Sequence, residues 1–180
     1  MMEPHAAIAE IHIEAGEIRQ VVRAMARRGE EAEFARRVRD TFALELPSKP
    51  ERVCREPVAV VGIAPGAWLV MDSGFSSSLM DRLKAAAGTT ASLCDLSDAY
   101  VFRRVAGEKA RTALAKLVPI DLHGWQFPVG SAASTLAAHV SVLLWRLADA
   151  GSDPCFEIGV PRSYAGYIYE ALAHAATTTR

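Results

Sequence analysis

The chain has no glycine-rich GxGxxG fingerprint, no GxxxxGK[ST] phosphate loop, no HExxH and no GxSxG. Flavin, NAD, ATP and zinc-hydrolase chemistry all lose the sequence support they ordinarily show. Cysteine is scarce: Cys54, Cys94 and Cys155 are odd in number and far apart, with no CxxC pair and no histidine at ligand spacing. This argues against a zinc site or a disulfide framework and for reduced, largely buried thiols. An excess of charge of one sign is also missing, since 20 basic residues face 21 acidic ones for a formal net charge of -1. No long-range field draws such a protein to nucleic acid or to an anionic membrane. Every apolar run falls short of the roughly 20 residues of a membrane span, and the Met-Met-Glu-Pro-His start lacks the basic and apolar regions of a secretory signal. A cytoplasmic protein is expected.

What the chain does have is apolar substance. Of its 180 residues 51% are hydrophobic and 23% charged, enough for one well-buried core and short for two. A single domain over residues 18–180 is expected after an N-terminal arm at 1–17, where Ile8, Ile11 and Ile13 alternate weakly before Gly16, as in an edge strand. Residues 18–25 fit a helix or a strand, and the strand is favoured because Arg27-Arg28-Gly29 stops the run sharply. Residues 30–42 then read as an amphipathic helix: Phe34, Val38 and Phe42 share one face, with Glu30, Glu31 and Glu33 near the start and Arg36, Arg37 and Arg39 later.

Two apolar runs, 58–63 and 67–71, flank Ala64-Pro65-Gly66 and predict a β-hairpin. A helix follows at 76–87, with serines available to cap its start. Residues 92–105 read as one long strand, bent or bulged in its polar first half. A helix is expected at 107–117, a bent strand at 134–147, a strand at 156–160 and a last helix at 163–175. Helices alternating with antiparallel hairpins imply an α+β fold, with helices covering sheet faces, rather than a doubly wound nucleotide fold.

Candidate chemistry is thin. The Gly62-Ile-Ala-Pro-Gly66 stretch is glycine-rich, but its proline removes an amide donor and its hairpin setting offers no helix N-terminus to a phosphate. Asp121 and His123 lie two apart in a loop punctuated by Pro119, Gly124, Pro128 and Gly130, as an acid/base pair could. The reading favoured is that Asp121 bonds nearby loop amides. His139, within an apolar stretch, is expected as a core or interface histidine, and Asp95 and Asp98 as turn or bulge residues. Arg103 and Arg104 should point to opposite faces of their strand, one of them solvated or paired. Arg162 is a cation beside the start of the last helix, which opposes the dipole and calls for another favourable contact, internal or on a partner subunit. Trp125 and Trp145 are core residues by default, though a loop tryptophan is also a frequent interface anchor.

Family likeness rests on a series of motifs in fixed order: Met25-Ala-Arg-Arg-Gly29, Leu44-Glu-Leu-Pro47, Gly66-Ala-Trp-Leu69, Asp95-Leu-Ser-Asp98, Pro119-Ile-Asp-Leu-His123, Phe127-Pro-Val-Gly130 and Val160-Pro-Arg-Ser-Tyr164. Together they resemble the gamma subunit of heterotetrameric sarcosine oxidase, over roughly residues 18–175. The gamma-like subunit of N-methylglutamate dehydrogenase shares this framework. The resemblance implies the fold of the folate-binding aminomethyltransferases, related to the glycine cleavage T-protein. It implies a place in a flavoenzyme that oxidises sarcosine to glycine, passing the one-carbon unit to tetrahydrofolate or releasing it as formaldehyde. FAD, FMN, NAD, zinc and tetrahydrofolate would then sit in the alpha, beta and delta subunits, with no catalytic, cofactor or metal residue in this chain. Asp121, His123, Trp125, Arg162 and Tyr164 are the candidates for subunit contact. A stand-alone folate-dependent aminomethyltransferase and a small homo-oligomeric interaction domain are the competing readings.

Overall fold

The computed structural model describes residues 6–8, 10–17, 19–75 and 77–179. Two compact units emerge: a split unit of Met1–Gly16 with Ala99–Arg180, and an inserted unit, Glu17–Asp98. The split unit opens with β1 (Ala6–Ile8) and β2 (Ile11–Ala15). The inserted unit follows with β3 (Gln20–Ala26), α1 (Glu31–Phe42), β4 (Arg52–Arg55), β5 (Val58–Ala64), β6 (Ala67–Asp72), α2 (Leu79–Ala87) and β7 (Ala91–Asp95). The split unit resumes with β8 (Tyr100–Ala106), α3 (Ala110–Ala115), β9 (Ala132–Ala137), β10 (Val140–Arg146), β11 (Cys155–Pro161), a short 3-10 turn (Arg162–Tyr164) and α4 (Ala165–Thr177).

This division differs from the expected arm and single domain. Ile11 and Ile13 are buried, and their strand pairs with β8, Ile13 opposite Val105 and Glu14 opposite Arg104. The alternation of Ile11 and Ile13 is thus the inward face of a sheet strand, and not an arm beside the fold.

In the split unit the described strands form a six-stranded antiparallel sheet, ordered β1-β2-β8-β11-β10-β9. Alternate residues of its strands, among them Val105, Val142, Leu144, Phe156 and Ile158, share one buried cluster with Ala110, Ala113 and Leu114 of α3 and Ile168 and Leu172 of α4. Helices therefore cover a sheet face, as the alternation requires. Arg103 lies on this covered face, its guanidinium 5.4 Å from the Tyr169 ring of α4. Its neighbour Arg104 points the other way, opposite Glu157 in the ladder.

The inserted unit has its own antiparallel sheet, β4-β5-β6-β3-β7, and its own core. Phe34 and Val38 are fully buried and Phe42 nearly so, as the helical spacing predicted. They pack with Val60, Val70 and Leu83, and the Phe34 ring lies 5.8 Å from that of Trp68. The Ser78 hydroxyl caps α2 by accepting the Asp81 amide at 3.2 Å. That helix starts three residues later than expected, and Ser76 lies outside the described residues. Strand β4 was not anticipated, because Arg-Val-Cys-Arg is short, charged and confined to the sheet edge.

Both long strands expected from the sequence are broken. Residues 92–105 separate into β7 and β8 because Asp95 Oδ1 accepts the Ser97 amide at 2.9 Å and the Ser97 hydroxyl at 2.7 Å. A local side-chain turn here competes successfully with the ladder. Residues 134–147 form a hairpin instead of a bent strand, since Ala138 (φ 45°) and His139 (φ 70°) both adopt the left-handed conformation. Two such residues between Ala137 and its partner Val140 make the tight turn that suits antiparallel twist. His139 is consequently exposed at a hairpin tip, not a core residue.

Candidate functional site

The proline-rich segment after α3 is a rigid loop with an inner and an outer set of side chains. Val118, Leu122 and Phe127 are buried in the core of the split unit, and the Phe127 ring stacks 6.4 Å from Phe156. Between them the chain turns tightly, the amides of Gln126 and Phe127 both donating to the His123 carbonyl, at 2.9 and 2.8 Å. The end of the loop is tied to β10, where the Gly130 amide donates to the Arg146 carbonyl at 3.0 Å.

This anchoring leaves His123 and Trp125 outside. The two rings are 3.9 Å apart, centre to centre, and Trp125 is 77% exposed. Trp125 is therefore no core residue, whereas Trp145 is wholly buried and donates its indole N–H to Glu157 at 3.0 Å. Asp121 accepts the backbone amide of His123 at 2.7 Å, the loop-bonding role favoured from the sequence. Nothing couples its carboxylate to the imidazole as an acid/base pair would need.

Two residues in this region escaped the sequence reading. Arg111 of α3 donates its Nε–H to the Leu122 carbonyl at 2.8 Å. Arg146 of β10 is only 8% exposed; it donates to the Phe127 carbonyl at 3.3 Å and to both oxygens of Asp149 at 2.9 and 3.1 Å. Only the three-residue spacing of Arg146 and Asp149 is visible in the sequence, and nothing there ties either arginine to the loop.

The other two candidates belong to the 3-10 turn before α4. Arg162 is exposed and its amide donates to the Ala99 carbonyl at 2.8 Å. Tyr164 is 51% exposed, as is Tyr167 one turn later, whose hydroxyl donates to the Ala138 carbonyl at 3.2 Å. The structure thus sets Asp121, His123 and Trp125 on one loop and Arg162 and Tyr164 on another element.

In the inserted unit, a cavity of about 170 Å³ lies between Pro47, Pro50, Gly62, Pro65 and Trp68. It is well below the roughly 300–1,000 Å³ of sites for drug-sized ligands and cofactors. Trp68 is held there by its indole N–H, donated to the Pro47 carbonyl at 2.8 Å. Of the thiols, only Cys155 is buried, and Cys54 and Cys94 are exposed, contrary to the expectation of largely buried cysteines. Partial desolvation of the thiol, and then its hydrogen bond to the Glu56 carboxylate, raise the Cys54 pKa although the residue is exposed. Among the described residues no group of three or more histidines, cysteines or carboxylates could hold a metal ion. No described helix is long and apolar enough to cross a membrane.

The model of the sarcosine oxidase gamma subunit family matches residues 28–178. The chain belongs to this family. Among solved structures it is similar to the heterotetrameric sarcosine oxidase from Corynebacterium sp. U-96 in complex with pyrrole 2-carboxylate, with a TM-score of 0.82 and 23% identity. That match covers 96% of this chain and 87% of the other. It is also similar to the glycine cleavage system aminomethyltransferase T from Bartonella henselae, with a TM-score of 0.65 and 16% identity over 91% of this chain. This chain spans 45% of that protein, and the likeness is one of fold. Comparison with curated proteins found no match. The α+β architecture expected from the sequence, antiparallel sheets covered by helices in the manner of the aminomethyltransferases, is the one this gamma-family member adopts.

Proposed function

We propose that this chain is the accessory gamma subunit of a heterotetrameric sarcosine oxidase, which oxidatively demethylates sarcosine to glycine. Its role in the complex is assembly and stabilisation, in the cytoplasm. FAD, FMN, NAD, zinc and tetrahydrofolate are held by the alpha, beta and delta subunits, with which it associates. The observation that carries this reading is the match of the gamma-family model over residues 28–178, almost the whole chain. The solvent-facing Trp125, Arg162 and Tyr164, on well-tethered segments, suit a subunit-contact role.

The test is to purify the chain alone and with its neighbouring gene products. Alone it should be colourless and inert toward sarcosine; co-expressed, it should copurify with a flavin-bearing complex that oxidises sarcosine. Flavin absorbance on the isolated chain would sink the proposal. N-methylglutamate turnover in place of sarcosine would move the complex to N-methylglutamate dehydrogenase, whose gamma-like subunit shares the motifs. The aminomethyltransferase fold sustains a second reading, a stand-alone folate enzyme. Calorimetry with tetrahydrofolate separates them, since submicromolar binding to the isolated chain favours the enzyme.

A further inference from the structure

Two guanidinium groups from different elements meet at one glycine of the exposed loop. A Cβ added at Gly124 would lie 3.5 Å from Nη1 of Arg146 and 3.8 Å from Nη2 of Arg111, so both cations border the space above this Cα. The Asp149 carboxylate is taken up by Arg146 Nη2. Arg111 spends its Nε–H on the Leu122 carbonyl, and no acceptor meets its terminal nitrogens among the described residues. Arg146 also keeps a buried Nε without a partner there. Guanidinium donors are rigidly forked and match a carboxylate in two-point fashion. Beside this cationic floor stands Trp125, 77% exposed and braced against His123.

We infer that Arg111 and Arg146, across Gly124, receive a carboxylate side chain of a partner oxidase subunit, next to an apolar recess that takes Trp125. The inference rests on the gamma-subunit reading and adds the chemistry of the partner surface: an aspartate or glutamate adjoining an aromatic-sized pocket. The argument for a protein carboxylate over a small free anion is the pairing of cation and anchor. An indole left in water gains from burial against another protein, and a paired charge beside it sets register.

The experiment uses the co-expressed complex. Arg111→Glu should weaken retention of this chain by the other subunits roughly 30-fold or more, the usual scale for a desolvated charge pair converted to a ratio. The free chain loses the bond to the Leu122 carbonyl and should melt a few degrees lower. Retention is therefore compared with that of Arg111→Gln, which loses the same bond without reversing the charge. Arg111→Lys keeps the charge but not the fork and should retain assembly less firmly than the unaltered chain and more firmly than Arg111→Glu. Treated in the complex with a carbodiimide, which joins an amine to a carboxylate in contact, it should yield an amide between position 111 and an aspartate or glutamate of another subunit. Undiminished retention of Arg111→Glu would overturn the inference. So would a cross-link that forms only within this chain, and this readout holds even where Arg111→Glu fails to fold. Failure of the unaltered chain to join any oxidase subunit would overturn the gamma-subunit reading and this inference with it.

Discussion

Truncating Trp125 to alanine should separate folding from assembly. In the free chain the indole is 77% exposed and its ring lies tilted against that of His123. Losing that contact costs about 0.5–1 kcal/mol, which in a chain of this size lowers the melting temperature by about 1–4 °C. Assembly is another matter. A tryptophan buries about 250 Å² in full, so about 190 Å² remains to be covered by a partner. At about 25 cal/mol per Å² the ceiling is about 5 kcal/mol. Alanine keeps part of that area, and truncation of aromatic anchors at interfaces commonly costs about 2–4 kcal/mol. The expected loss is roughly 30- to 1,000-fold in affinity for the rest of the complex. The assay is retention of Trp125→Ala by a tagged partner subunit across a dilution series, beside calorimetric melting of the free chain. A melting temperature lowered by about 10 °C with unchanged retention would show the indole to be an internal residue and refute the reasoning.

Three further outcomes are expected. Arg162→Glu reverses an exposed charge before α4 and should weaken assembly more than it weakens folding, measured by the same pair of assays; the opposite ranking would show that the residue serves the fold and not the interface. Glu33 is held down to about 2 first by the hydrogen bond from Arg36 and then by that from Arg37. A carboxyl whose pKa falls on folding stabilises the native state above its ordinary value and stops doing so as the pH drops through the folded value. Melting temperatures of the native chain and Glu33→Gln should therefore differ near neutral pH and converge as the pH falls toward about 2; a gap that persists in acid would count against the pair. His139→Gly relieves a left-handed backbone in a tight hairpin turn, and the urea midpoint should rise by the equivalent of about 0.5–1 kcal/mol, where a fall would show that the imidazole contributes more than its φ of 70° costs.

Periodicity revealed those elements whose burial follows from their own spacing. Phe34, Val38 and Phe42 specify α1 without help from the rest of the chain, and the apolar runs around Val60 and Val70, flanking Ala64-Pro65-Gly66, do the same for the β5–β6 hairpin. Breaks within apolar runs were less legible. Ala138 and His139 carry no turn signature, because glycine or asparagine ordinarily marks a left-handed pair, so the β9–β10 hairpin reads as one strand. The turn at Asp95 and Ser97 depends on two short hydrogen bonds that compete with the ladder, a contest that composition does not decide. Of the loop, Asp121 was readable as a local bond to an amide two residues on. Arg111 and Arg146 were not, since their approach to Gly124 depends on how a helix and a strand distant in sequence are brought together.

The pairing of Glu14 with Arg104 has a consequence for the order in which the chain becomes structured. A ribosome completes residues 17–98 before any of β8 exists, so every described strand of the inserted unit's sheet is available while β2 still lacks its second neighbour. Closing the first sheet across that span is a long-range step whose entropic cost grows only slowly with loop length and falls once the intervening segment has compacted. Strands β1 and β2 can pair with each other at once, but the second edge of β2 stays open until β8 has been made. Translation can thus supply a half-finished subunit in which one unit is native and the other awaits its sequence.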